Sequence, residues 1–385
     1  MTAAAKGAKT RISMNETKQP QGVGPTLLSA TVLSLALLGD MLIYVILPVN
    51  AHLFGVTLFW VGVLLAANRL IRIFTYGAIA ALAERIGPRN LAIIAAVAAC
   101  LSTLTYGLAT GWPLLLIARL TWGLCFAALT LVVFAYAVKD KSKAGTRVGL
   151  SRMVQQTCPT LVLFLGPLAA IAIGATEIFI VLGILSAAAI PVAFLLPKEG
   201  RKPEPKKTEW LPRPYRFDWF MFIAGLTVDG VFTMAITLSV AETSSIGTAM
   251  IAGGVLLGIR RGSEALLGPV GGILGDKYGP DRLLFWSSLA TVIGFVLLAC
   301  GFIYAGGLLT VIGRSFIAAL WPAEIALRTS DEMTLRRIAV GQTWRDIGAA
   351  AGPLMAGSLS ATVALDHMYW AMGGLMVIGL WLQRR

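Results

Sequence analysis

The sequence predicts an all-α integral membrane fold of twelve transmembrane helices, built as two pseudo-symmetric six-helix bundles with both termini cytoplasmic. Three observations carry that expectation. The 385-residue chain is 57% hydrophobic and 13% charged, with a mean hydropathy of +0.78. Soluble domains carry roughly 25% charged residues, so hydrocarbon must replace water around much of the surface. Twelve spans of about 20 apolar residues each, with short connections, account for the length. The second observation is charge placement. Lys and Arg cluster in the N-terminal tail, near Arg85 and Arg89, and at Lys139 to Arg147, Lys198 to Arg216, Lys277 to Arg282, Arg328 to Arg337 and Arg384 to Arg385. The six intervening loops, around 49–57, 108–113, 172–178, 241–248, 302–306 and 361–367, contain none. The positive-inside rule then puts both termini in the cytoplasm. The third observation is that the two halves repeat.

In chain order, residues 1–24 read as a polar cytoplasmic tail. The spans follow from apolar length and flanking charges or Gly/Pro breaks. The first, 26–48, carries Asp40; it is too long for a signal-peptide core and is expected to remain as an anchor. Span 57–82 carries Asn68, Arg69, Arg72 and Tyr76. Spans 90–110 and 113–137 follow, the latter with Arg119 and Trp122. Spans 148–172 and 175–196 complete the first bundle, residues 25–196. A Lys-, Arg- and Pro-rich linker at 197–216 is solvated. The second bundle, 217–385, takes spans 217–240 with Asp229, and 247–274 with Arg260, Arg261 and Glu264. It continues through 281–303, 306–328 with Arg314 and Trp321, 338–360 with Arg345 and Asp346, and 365–382.

The repeat is explicit. Leu82-Ala83-Glu84-Arg85-Ile86-Gly87-Pro88 recurs as Leu274-Gly275-Asp276-Lys277-Tyr278-Gly279-Pro280, 192 residues later. Arg69 maps to Arg261 at the same offset, Asp40 to Asp229 at 189, and Arg119 to Arg314 at 195. Parallel repeats related by an axis along the membrane normal are a known transporter plan.

These residues resemble the major facilitator superfamily. The segment Ala80 to Arg89 is similar to its signature G-x-L-a-D-R-x-G-R-R, and Gly272 to Gly279 is the better copy. Arg119-Leu120-Thr121-Trp122-Gly123 is similar to the family's R-x-x-x-G motif. Asp40, with Pro48 eight residues on, resembles the acid-to-proline motif of its proton-coupled drug exporters. Three details depart from the pattern: Glu84 stands for Asp, Ala80 for the first Gly, and Pro88 takes a usually basic position. The resemblance implies alternating access and contacts by Glu84, Arg85, Gly87, Arg89, Asp276, Lys277 and Gly279 that close a cytoplasmic gate.

Charge inside the spans marks the candidate site. A charged side chain at the bilayer centre costs roughly 2.5–3.5 kcal/mol on the lenient scale, so it turns to a partner or a wet cavity. Six deep arginines (Arg69, Arg72, Arg119, Arg260, Arg261, Arg314) face three acids (Asp40, Asp229, Glu264). One reading makes them struts: Asp40 with Arg119, Asp229 with Arg314 or Arg261, and Arg260 with Glu264 four residues on. The other makes them a site. Asn68, Arg72 and Tyr76 form a polar stripe at helical spacing that suits a cavity lining, with Trp122 and Trp321 as walls. Desolvation disfavours an ionised carboxylate while a nearby guanidinium favours it. Asp40 beside Arg119, with Asp229 as its counterpart, is therefore a candidate for proton coupling. The arginine excess, centred on Arg69 and Arg72 with Arg260 or Arg261 opposite, suits a carboxylated solute. Arg152, Gln155, Gln156, Gln342, Arg345 and Asp346 add polar groups. Arg345 and Asp346, which point about 100° apart, are candidates for the cytoplasmic gate, with one of them expected to line the path near its cytoplasmic end.

Other classes fit less well. Positive charge scattered along one membrane face is not a nucleic-acid patch. The four cysteines and two histidines show neither a disulfide framework nor a metal pattern, and no cofactor or enzymatic motif is present. The expected protein is a monomeric transporter of the bacterial inner membrane, with a small-molecule substrate, protons and the lipid bilayer as partners. Proton-coupled export of a small organic or amphipathic solute, with a lean to anions, is the leading expectation. Uptake of an anionic nutrient or metal chelate, and a non-transporting receptor or assembly protein, are the alternatives.

Overall fold

The computed structural model describes residues 22–198, 213–232, 246–359 and 363–383, and among them it is helical with no strand. The chain forms α1 (Gly24–Val49), α2 (Leu58–Ile86), α3 (Pro88–Leu108), α4 (Trp112–Ala137), α5 (Ala144–Ile173), α6 (Glu177–Ser186) and α7 (Ala189–Phe194). It continues as α8 (Arg216–Ala224) with a π-helical extension (Gly225–Val231), then α9 (Ile246–Tyr278) and α10 (Pro280–Ala299). The last elements are α11 (Ile303–Arg328), α12 (Asp331–Leu359) and α13 (Leu365–Gln383). Eight of the described helical stretches are long and apolar enough to cross a membrane. The tail before residue 22, most of the linker (199–212) and the end of the seventh span (233–240) lie outside the described residues.

The distribution of side chains is that of a protein dissolved in oil. Ile94, Leu101, Ile117, Leu266 and Trp286 are exposed, while Arg119, Glu264 and Arg314 are buried. A helix satisfies its own backbone polar groups, so it can present such a surface to hydrocarbon.

Helix ends depart from expectation where charge was read as loop. The helices α2 and α9 run to Ile86 and Tyr278, four residues past the predicted limits, so the repeated signature occupies their last turns. Gly87 (φ 85°) and Gly279 (φ 92°) stop them in a backbone region that only glycine enters freely. Pro88 and Pro280 then open α3 and α10, where no helical N–H is lost. The helix α12 begins at Asp331 instead of 338, because Arg336 and Arg337 find carboxylates at Glu84 and Asp218.

Two backbone approaches frame the interior. Between α5 and α9, a Cβ on Gly149 would lie 2.3 Å from the Gly268 carbonyl oxygen, and one on Gly272 would lie 2.1 Å from that of Gly145. Between α8 and α12, a Cβ on Gly225 would lie 2.2 Å from the Arg345 carbonyl oxygen, and one on Gly348 would lie 2.1 Å from that of Phe222. Small residues allow this in lipid, where close packing rather than hydrophobicity drives helix association. The second approach coincides with the π turn that carries Asp229. Such turns often accompany functional sites.

Candidate functional site

A cavity of about 170 Å³ lies between α1, α2, α4, α5, α9, α11, α12 and the π turn. Its lining includes seven arginines (Arg69, Arg72, Arg152, Arg260, Arg261, Arg314, Arg345) and four acids (Asp40, Asp229, Glu264, Asp346). Every one of those acids is engaged. Asp229 takes Arg314 at 2.7 Å, Arg260 at 3.2 Å and Arg345 at 2.5 Å. Glu264 accepts from Arg314 and from Gln156 at 2.9 Å. Asp346 meets Arg72 and the Tyr76 hydroxyl, both at 3.0 Å. Asp40 pairs with Arg119 and lies 3.4 Å from the Asn68 amide nitrogen.

Arg119 stands behind Asp40, fully buried, and also donates to the Leu64 carbonyl at 3.0 Å and the Tyr44 hydroxyl at 3.1 Å. In a low-dielectric setting an ion pair is stable only when its remaining protons and lone pairs are satisfied as well. Asp40–Arg119 meets that condition better than most of its neighbours.

Three cavity arginines make no ion pair with any described carboxylate. Arg69 donates to the Ala349 carbonyl at 2.8 Å, Arg261 reaches the Gln156 side-chain oxygen at 3.3 Å, and Arg152 lies over the Phe134 ring. The wall is thus positive.

One end of the molecule is tied shut. Asp276 accepts from the backbone N–H groups of Gly145 at 2.8 Å and Thr146 at 2.7 Å, in the first turn of α5. Those groups have no intrahelical partner and carry the positive end of the helix dipole. Glu84 accepts hydrogen bonds from both Nε and Nη2 of Arg336 on α12, and Lys141 meets Asp331 at 3.0 Å. Asp140 lies beside this end and caps the turn before α5. The Ser142 hydroxyl, then Arg147, hold its carboxyl below the usual carboxylate range. Arg89 donates to the Phe194 carbonyl at 2.6 Å, and Lys277 lies over the Tyr278 ring. Among the described residues Arg85 makes no ion pair.

The Major Facilitator Superfamily model matches residues 30–259, more than half of the sequence. The chain belongs to the Major Facilitator Superfamily. With its long apolar helices, it is a multi-pass membrane protein of that family. Multidrug resistance protein MdtG of Escherichia fergusonii is 27% identical over 147 residues, covering 36% of each chain. The same protein of Citrobacter koseri is 25% identical over 167 residues, covering 41% of each. The chain thus spans well under half the length of these relatives. The crystal structure of the human organic anion transporter MFSD10 (TETRAN) superimposes with a TM-score of 0.78 at 15% identity, covering 95% of this chain and 100% of that one. At that identity the likeness speaks for the superfamily fold alone.

Within this superfamily fold, the residues singled out by sequence separate into groups. Asn68, Arg69, Arg72, Arg260, Arg261, Glu264 and Arg314 share one cavity with Asp40 and Asp229. Tyr76 is buried one turn beyond, against Asp346. Trp122 and Trp321 are fully buried but lie outside the cavity lining: Trp122 packs by Phe126, and Trp321 packs edge-on to Phe134. Of the proposed struts, Asp229 takes Arg260, Arg314 and Arg345, and Glu264 takes Arg314. The expected centre of unpaired charge also moves, because Arg72 is held by Asp346 and Arg260 by Asp229. Arg345 and Asp346 stand in the cavity wall, both of them, rather than at the tied end. With α12 beginning at Asp331, they lie about 21 Å along the helix from its start. Sequence reasoning left Arg152 without a role and gave no signal for Thr130 or Phe126, which also line the cavity.

Proposed function

We propose that this protein is a secondary active transporter that works by alternating access and exports a small organic or amphipathic anion in exchange for protons. The observation that carries the reading is the set of three arginines without acid partners among the described residues, in a cavity between apolar helices. A permanent guanidinium charge in such a place calls for a counter-charge, and a carboxylated solute supplies one. On this reading, with twelve spans in two six-helix halves and cytoplasmic termini, the tied end faces the cytoplasm. The conformation described is then closed on that side. The names of its similar proteins, multidrug resistance protein and organic anion transporter, agree with this class.

Proton coupling resides at Asp40. Arg119 pairs with its carboxylate. When solute binding or helix movement draws Arg119 aside, the carboxylate is left in an apolar wall and takes up a proton, which links titration to conformation. The positive cavity serves uptake of an anion equally well, so direction is read from the gradient. In reconstituted vesicles with an imposed pH gradient, flux of a labelled aryl carboxylate against the proton gradient supports exchange, and flux along it supports uptake. Flux indifferent to the gradient rejects proton coupling.

A further inference from the structure

We propose that Arg152 of α5 and Thr130 of α4 form an oxyanion subsite that receives the carboxylate of the transported solute. The assignment rests on the anion reading above and names the contact within it.

Arg152 is 8% exposed and Thr130 is 4% exposed, and both line the cavity. Nε and Nη2 of Arg152 and the Thr130 hydroxyl oxygen have no hydrogen-bond partner among the described residues. Phe134, one turn beyond Thr130 on the same face of α4, lies under the guanidinium with 5.7 Å from its ring centroid to Cζ. The ring fixes the plane of the fork without using its N–H groups. On the other side a Cβ on Gly268 would lie 3.1 Å from the Arg152 Cβ, so the bare glycine makes room for the stem. Arg152 is thus built in and positioned, yet left with donors to spare.

The electrostatic setting points the same way. Glu264 acts on Arg152 most strongly among the charged neighbours, against Arg345, Arg314 and Arg261. That acid is already committed to Arg314 and Gln156. A buried guanidinium among three others and without its own carboxylate is unfavourable until an anion arrives. Two N–H groups of a planar fork match the two oxygens of a carboxylate, and the Thr130 hydroxyl supplies a further donor. A purely structural arginine would spend its donors on protein.

Binding of 2-naphthoate and of its neutral amide to the purified full chain tests the assignment, with thermal unfolding of the empty protein as a second readout. The expected result is a preference for naphthoate in the wild type. Arg152→Gln weakens naphthoate at least tenfold and leaves the amide within twofold, while the empty protein melts at a higher temperature. Thr130→Val weakens naphthoate three- to tenfold, and Arg152→Lys falls between; these two variants read the same ratio if Arg152→Gln does not fold. Unchanged naphthoate affinity in Arg152→Gln, equal loss of both ligands, or a lower melting temperature of the empty variant overturns the subsite. If the preference survives in Arg152→Gln but disappears in Arg261→Gln, the subsite alone fails. A wild type that binds both ligands equally rejects the anion reading as well.

Discussion

Glu84, in the last turn of α2, and Arg336, near the start of α12, meet through hydrogen bonds of 2.6 and 3.0 Å although 252 residues separate them. The counterpart in the other half of the chain works differently. Asp276, at the end of α9, meets no arginine among the described residues but takes two backbone N–H groups at the start of α5. The same repeated acid thus finds a side chain in one place and a helix terminus in the other.

A charge-assisted bond of this kind contributes about 2 kcal/mol, enough to move a two-state equilibrium about thirtyfold. Glu84→Gln and Asp276→Asn are each expected to loosen the tied end. Spin labels at Asn90→Cys and Glu332→Cys, both exposed positions, in a background lacking the four native cysteines, report the distance. A new long-distance population is expected in both variants. An unchanged distribution in both means that these contacts do not hold the closed state.

Asp40→Asn separates stability from coupling. The substitution leaves Arg119, fully buried, facing a neutral amide, and breaking a buried pair costs about 3–5 kcal/mol. Adding Arg119→Gln removes the stranded charge and is expected to recover most of the loss in thermal unfolding. Gradient-driven flux is expected to be absent in both variants, while exchange of solute for solute persists. Gradient-driven flux in Asp40→Asn at the wild-type rate places the coupling group elsewhere.

How far the sequence discloses this site depends on what each residue has to say about depth. Asp40, Arg119, Asp229 and Arg314 stand inside long apolar runs, so their burial is written in their neighbours, and so is the repeat that relates them. Arg345 and Asp346 follow the charged stretch Arg328 to Arg337, which reads as loop; only the partners Glu84 and Asp218, distant in sequence, allow that stretch to be helical. Their place in the cavity therefore depends on contacts that a linear reading does not contain. Thr130 is less legible still. A threonine in an apolar span normally bonds its own helix, and its free hydroxyl is a matter of geometry alone.

Asp229 holds three guanidinium groups at once. Asp229→Asn leaves Arg260 and Arg345 in mutual repulsion across the π turn, with Arg314 retaining Glu264. The expected result is a fall in melting temperature larger than that of Asp40→Asn. Arg345→Gln in the same chain is expected to restore part of it by removing one of the uncompensated charges. A double variant no more stable than the single one shows that Asp229 acts through something other than these charges.

The closeness of α5 and α9 makes a sharp prediction about alanine at two glycines of the same region. A methyl group on Gly149 would stand 2.3 Å from the Gly268 carbonyl oxygen, and backbone cannot swing aside as a side chain can. The helices must part, which also disturbs the neighbouring contact of Gly145 with Asp276. A methyl on Gly262, further along α9, meets only Thr160 at 3.5 Å, an ordinary van der Waals distance. Gly149→Ala is therefore expected to lower the melting temperature by several degrees and to populate the open distance between the spin labels. Gly262→Ala should match the wild type in both measurements, or gain slightly from the better helix propensity of alanine. Equal effects of the two substitutions would mean that helix propensity, rather than the backbone contact between α5 and α9, governs this crossing.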